Sequence, residues 1–174
     1  MPVPIRLITA FKGSGEIEVA RTLFLEYTAS LRIDLSFQGV IAELAGLPGN
    51  YAPPRGQILI AWSREGQHGP AHAVGCVAMR PLTEEGYCEM KRLYVRPQAR
   101  GQDLGRRLAQ AIISCAREAG YARMRLDTLV SMQAAQALYA SLGFRPTEPY
   151  YDNPIQETRY MGCRSEGGGN RLVA

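Results

Sequence analysis

Apolar positions along the chain change period several times, and each change marks an element. Residues 4–10 form a short apolar run that predicts a first strand. After Ser14-Gly15, Ile17, Ala20, Phe24, Tyr27 and Leu31 recur at steps of three and four, the stripe of an amphipathic helix. Glu16 and Glu18 sit in its first turn, where carboxylates suit the helix dipole. Phe37, Val40, Ile41 and Leu44 predict a second helix, closed by Gly46 and the turn of residues 47–50. Three β-rich runs follow at residues 57–64, 73–79 and 87–95, and the short turns between them predict an antiparallel meander.

The second half alternates differently. Leu104, Leu108, Ala111, Ile112, Cys115 and Ala119 define a strong amphipathic helix stopped by Gly120. Residues 124–129 predict a strand, 134–142 a short helix stopped by Gly143, and 144–147 with 158–163 two last strands around a two-proline loop. The order β-α-α-β-β-β-α-β-α-β-β contains no repeat. It predicts one mixed α/β domain over residues 1–164, with a flexible tail at 165–174.

Composition narrows the class. A chain of 174 residues, 46% hydrophobic and 21% charged, can bury one substantial core and is not a disordered sequence. No apolar run approaches the roughly 18 residues a membrane span needs, and the first residues lack a basic stretch followed by an apolar one. A cytoplasmic protein without a membrane partner is expected. Cys76, Cys88, Cys115 and Cys163 are far apart and form no C-x-x-C pair, so buried small hydrophobes are expected rather than a metal site or a redox pair.

The placement of charge says more than its sum of +4. Lys91, Arg92, Arg96, Arg100, Arg106 and Arg107 lie close together with a single acid, Asp103, among them. A nucleic-acid binder spreads its excess over a wide face, whereas this short cationic stretch suits a compact anion and argues against a nucleic-acid partner. It also spans a strand, a Gly-bearing turn (Arg100-Gly101-Gln102-Asp103-Leu104-Gly105-Arg106) and a helix start. Free N–H groups, the positive dipole end and nearby guanidinium groups bind phosphate there, and Gly101 and Gly105 allow close approach of the backbone. The same turn equally suits a solvated arginine face. Other phosphate motifs fail: neither Lys12 nor Lys91 has P-loop context, and Gly13-Ser14-Gly15 lacks the glycine a dinucleotide fingerprint needs at Glu18. His68 and His72, separated by Gly69-Pro70, read as loop histidines.

With these residues in view, the chain resembles the GNAT superfamily of N-acetyltransferases. Residues 89–95 followed by Arg100-Gly101-Gln102-Asp103-Leu104-Gly105 resemble that family's [Q/R]-x-x-G-x-[G/A] turn. Ala135-x-x-Leu138-Tyr139-x-x-x-Gly143-Phe144 resembles its A-x-x-L-Y-x-x-x-G-F segment. The resemblance implies acetyl-CoA as cosubstrate, entering where the fourth strand splays from the fifth. It implies contacts to the backbone near Leu93 and Val95 and to the amides of Arg100, Gly101, Gln102, Asp103, Leu104, Gly105 and Arg106. Asp103 stands where the family has its first motif glycine, and its carboxylate is expected to cap the following helix while Arg100, Arg106 and Arg107 carry the anion. Met132 stands where many members have Asn.

The resemblance further implies transfer to an amine in a ternary complex, the acceptor being a small-molecule amine or an amino acid. Tyr139 would be the general acid, set against simple packing beside Ala135 and Leu142. Glu89 is the candidate base, set against a simple salt bridge with Lys91 or Arg92. Strict alternation puts Glu89 on one face with Lys91, Leu93 and Val95, a parity that a bulge would change. Asp127 reads more as a turn cap than as a substrate contact. Tyr27 and Leu31 on one side, with Tyr150, Tyr151 and Asp152 on the other, would line the acceptor site. A homodimer is compatible with the sequence, and a catalytically silent acyl-CoA-binding module is the alternative function.

Overall fold

The computed structural model describes residues 4–7, 15–36, 39–66 and 68–165. Its strands are β1 (Ile5–Leu7), β2 (Gln57–Arg64), β3 (Ala71–Pro81), β4 (Tyr87–Val95), β5 (Arg123–Leu129), β6 (Arg145–Pro146) and β7 (Thr158–Arg164). Its helices are α1 (Gly15–Leu31), α2 (Val40–Ala45), α3 (Leu104–Glu118) and α4 (Gln133–Ser141). The strands form one seven-stranded sheet in the order β1-β2-β3-β4-β5-β7-β6. The meander β2-β3-β4 is antiparallel as expected, and the pairing of β4 with β5 is parallel.

Alternation along β2 separates two cores. Ile58 and Ile60 face Ala20, Leu23 and Phe24 of α1 and Leu44 of α2. Leu59 and Ala61 face the other way, toward Leu104, Leu108 and Ile112 of α3. Leu108 and Ile112 are fully buried, which stabilises the fold by about 2 kcal/mol for each side chain. Leu104, Leu108 and Ile112 of the expected stripe thus cover the sheet, joined by Ala109 and Ala116, whereas Ala119 is exposed beyond the helix end.

Several boundaries differ from expectation. The second helix begins at Val40, and Phe37 lies outside the described residues, as do residues 8–10 of the first run and residues 166–174. Ser165, assigned to the tail, is buried: its N–H donates to the carbonyl of Ala122, its hydroxyl to that of Tyr121, and its own carbonyl accepts from Arg117 Nε at 2.7 Å. His72 is a residue of β3 rather than of a loop. Cys76, Cys88 and Cys163 are buried, while Cys115 is half-buried. Among the described residues, no helix is long and apolar enough to cross a membrane.

One irregularity decides the site. The β3–β4 register runs from Pro81↔Cys88 to Ala78↔Lys91 and resumes at Cys76↔Tyr94, so Arg92 and Leu93 stand opposite Val77 alone. Arg92 takes φ +60°, the left-handed conformation of a bulged residue. The bulge inverts the facing of the strand. Cys88 and Met90 belong to the α3 side, and beyond the bulge Leu93 and Val95 do, while Tyr94 packs on the α1 side. Glu89 thus does not share its face with Leu93 and Val95, correcting the strict alternation.

Candidate active site

β4 and β5 are paired only at Tyr87↔Arg123, Cys88↔Met124 and Glu89↔Arg125. Beyond Glu89 they diverge, so the backbone edge that β4 turns toward β5 from Met90 onward has no ladder partner on that side. The gap opens into a cavity walled by Lys91 and Leu93 on one strand and by Asp127 and Thr128 on the other, with Tyr139 behind. A groove of about 1040 Å³ joins it at Tyr27, Leu31, Leu93 and Met132 and continues to Arg100, Gly101, Asp103, Gly105 and Arg106.

The groove has the chemistry of a diphosphate cradle. α3 starts at Leu104, after Gly101 at φ +78° and Asp103 at φ +57°. A Cβ on Gly105 would lie 3.6 Å from Leu138 and 4.0 Å from Val95, in ordinary contact, so the bare Cα keeps the groove floor low rather than relieving a clash. Leu104 is buried in the core, which leaves its N–H as its contribution to a ligand. Gln102 is exposed and does not line the groove. Asp103 tolerates the left-handed conformation, but its side chain makes no capping hydrogen bond. It accepts from Arg106 Nε at 3.3 Å instead, which corrects the expected cap.

Half of the basic stretch is committed inward. Arg96 donates to both carboxylate oxygens of Glu26, at 2.9 and 2.5 Å, and to the carbonyl of Ala73 at 2.7 Å, tying the end of β4 to α1 and β3. That guanidinium holds the Glu26 carboxyl below the usual carboxylate range. Arg92 donates to Glu43 of α2 at 3.1 Å, and Glu43 also lies 3.5 Å from Arg80. Arg80 pairs with Glu89 at 3.0 Å, Glu89 lies 3.8 Å from Lys91, and Lys91 lies 3.6 Å from Asp127. Arg92, Glu43, Arg80, Glu89, Lys91 and Asp127 thus form one chain of alternating charge that ends in the gap. Alternation satisfies each buried charge with its neighbours. Arg100 and Arg106 are left to line the groove.

The expected catalytic pair is not brought together. Tyr139 lines the gap, but Glu89 does not: it is 2% exposed, where β4 still pairs with β5, and accepts from Arg80 and from the Tyr150 hydroxyl at 2.7 Å. Asp127 occupies the place expected of Glu89. It lies within β5 and caps no turn, contrary to the sequence reading, and accepts from the Tyr151 hydroxyl at 2.6 Å. Burial pushes the Tyr139 phenol well above its ordinary range, with Tyr27 and the Asp127 carboxylate adding to the effect. Burial likewise pushes Tyr27 up to about 12. Tyr27 and Leu31 line the junction of gap and groove. Tyr150 and Tyr151 stack edge-on with each other and with Tyr160, so their hydroxyls serve carboxylates. Asp152 is exposed and lines an open depression that adjoins the gap at Asn153, Ile155 and Thr158 rather than the gap itself. Lys91 and Asn153, which also line the gap, were not singled out as site residues from the sequence. A lysine amid the apolar residues of β4 was the available signal.

The same fold recurs in known proteins. The acetyltransferase (GNAT) family profile matches residues 27–144. This chain belongs to the GNAT acetyltransferase family. An uncharacterized N-acetyltransferase of Schizosaccharomyces pombe is 45% identical over 154 residues, covering 88% of this chain and 91% of that protein. One from Dictyostelium discoideum is 27% identical, covering 86% and 93%. Among solved structures, a GNAT-family acetyltransferase of Staphylococcus aureus superposes with a TM-score of 0.69 at 19% identity, covering 94% of this chain and all 100% of that one. The yncA protein of Salmonella typhimurium, solved with acetyl-CoA, superposes with a TM-score of 0.61 at 18% identity over 100% of both chains. As a GNAT protein the chain is an acyltransferase with acetyl-CoA as cosubstrate, and the arginine-lined start of α3 fits its diphosphate.

Proposed function

We propose that this GNAT enzyme transfers an acetyl group from acetyl-CoA directly to the primary amine of a small molecule or amino acid, with both reactants bound together. The observation that carries this reading is the divergence of β4 from β5 beyond Glu89, which joins the arginine-lined groove to an ionic cavity through the sheet. Acetyl-CoA supplies the activated acyl carbon and a thiol leaving group. An alkyl ammonium with a pKa of about 10 must lose a proton before it attacks. Asp127, steadied by Tyr151, receives that proton, directly or through a water. The N–H of Leu93, at the junction, donates to the oxygen on which charge develops. Tyr139, kept neutral by burial, gives its proton to the departing sulfur. The C–N bond forms as the C–S bond breaks. Of the two protons the ammonium gives up, one restores Tyr139 and the other leaves through Asp127. Glu89 acts through Lys91, fixing its ammonium beside Asp127.

Thiol release from acetyl-CoA across an amine panel tests the proposal. Release that requires both reactants, with intersecting double-reciprocal lines, is expected. Parallel lines overturn direct transfer. Binding of acetyl-CoA without release from any amine overturns the enzymatic reading in favour of a silent acyl-CoA-binding module.

A further inference from the structure

The gap carries two opposite poles on two diverging strands. Lys91 on β4 and Asp127 on β5 are 3.6 Å apart, longer than a good charge-assisted hydrogen bond. Arg92, the other cation on the cavity wall, is engaged by Glu43, so it reinforces the positive side without offering a second anion site of equal strength. Beyond the poles the wall turns apolar at Leu31, Ile33, Leu35 and Ile155, contributed by the end of α1, the segment after it and the loop before β7. A simple amine entering here would bring a positive charge beside the Lys91 ammonium and no anion to offset it. A zwitterion matches both poles.

We infer, building on acetyl transfer at this site, that the acceptor is an α-amino acid with an apolar side chain. Its carboxylate meets Lys91, its ammonium meets Asp127, and its side chain lies on the apolar wall. Each charged group of the ligand then replaces part of the Lys91–Asp127 attraction with a bond of its own, and no buried charge is left uncompensated. A second carboxylate, as in an acidic amino acid, would meet apolar side chains, cations already paired, or Asn153 and Thr158, whose donors serve Tyr151, Ile155 and each other, so it would gain no cation of its own.

The experiment compares acceptors in the unmodified enzyme by thiol release: L-leucine, its decarboxylated counterpart isoamylamine, and L-glutamate. The expected result is a kcat/KM for leucine about a hundredfold above that for isoamylamine, the size of one lost charge-assisted contact, and a similar margin over glutamate. Lys91→Met in the same assay is expected to bring leucine down to the isoamylamine level. Isoamylamine used as well as leucine overturns the inference while acetyl transfer stands, and glutamate used as well as leucine overturns the apolar side chain. No release from any amine overturns acetyl transfer and the inference together. The wild-type comparison decides the matter even if Lys91→Met does not fold.

Discussion

The Tyr150 hydroxyl donates to Oε1 of Glu89 at 2.7 Å, reaching from the loop before β7 to the buried centre of β4. Glu89 also binds Arg80 and faces Lys91. A carboxylate so enclosed holds other groups in place rather than meeting an incoming amine.

Glu89→Gln should therefore act mainly on stability. Removing one member of a buried ionic chain leaves Arg80 and Lys91 undercompensated, a cost of about 3–5 kcal/mol. Urea denaturation should show that loss. The pH–rate profile separates the roles, because Asp127→Asn should lower kcat/KM most at low pH, where the amine is protonated and needs a base, while Glu89→Gln should lower it evenly across pH. A loss that deepens at low pH in Glu89→Gln alone would make Glu89 the base.

Tyr139→Phe should leave the fold nearly untouched, since the ring keeps its contact with Phe144 at a centroid distance of 5.7 Å. Turnover should fall about a hundredfold, the usual contribution of a positioned acid. Acetyl-CoA affinity by calorimetry should not change, because Tyr139 lines the gap and not the groove. Unchanged turnover would remove its role as acid.

The two helices with clear periodicity, the meander and the glycine-bearing turn before α3 were legible because each depends on neighbours close in sequence. α3 follows its own stripe, and Gly101 and Gly105 announce the turn. The bulge at Arg92 was not legible, since it exists only against Val77 of β3. The pairings Arg92–Glu43 and Arg96–Glu26, 49 and 70 residues apart, turned two of the six cations in a seemingly uniform stretch into internal struts. The burial of Glu89 was not legible for the same reason: which strand residue reaches the gap depends on where β4 and β5 stop pairing.

Asp103→Gly should tighten acetyl-CoA binding. Asp103 holds φ +57° with its side chain 67% exposed beside the groove. Its contact with Arg106 is an exposed pair worth well under about 1 kcal/mol. Glycine takes the left-handed conformation without a Cβ penalty and removes a like charge from the diphosphate site. The dissociation constant should fall about three- to tenfold at low salt, and the gain should shrink in about 0.5 M salt as screening grows. Equal or weaker binding would show that Asp103 helps the turn rather than opposing the anion.

Alkaline pH should unfold the protein through its buried thiols and phenols. Burial pushes Cys163 up to about 11, Cys88 to about 12 and Tyr27 to about 12 from ordinary values of 9.0, 9.0 and 10.0. A group whose pKa is raised by folding contributes its full stability below the unfolded value and loses it as pH rises through the folded one. Tm should therefore hold steady up to about pH 8.5 and decline from about pH 9 to 12, with each kilocalorie lost lowering it by about 2–4 °C. Cys163→Ala removes one of these thiols, so its decline should still begin near pH 9, where the remaining thiols ionise in the unfolded chain, but should be shallower between about pH 9 and 11. A wild-type Tm that stays flat through pH 11 would show that these side chains ionise without leaving the folded state.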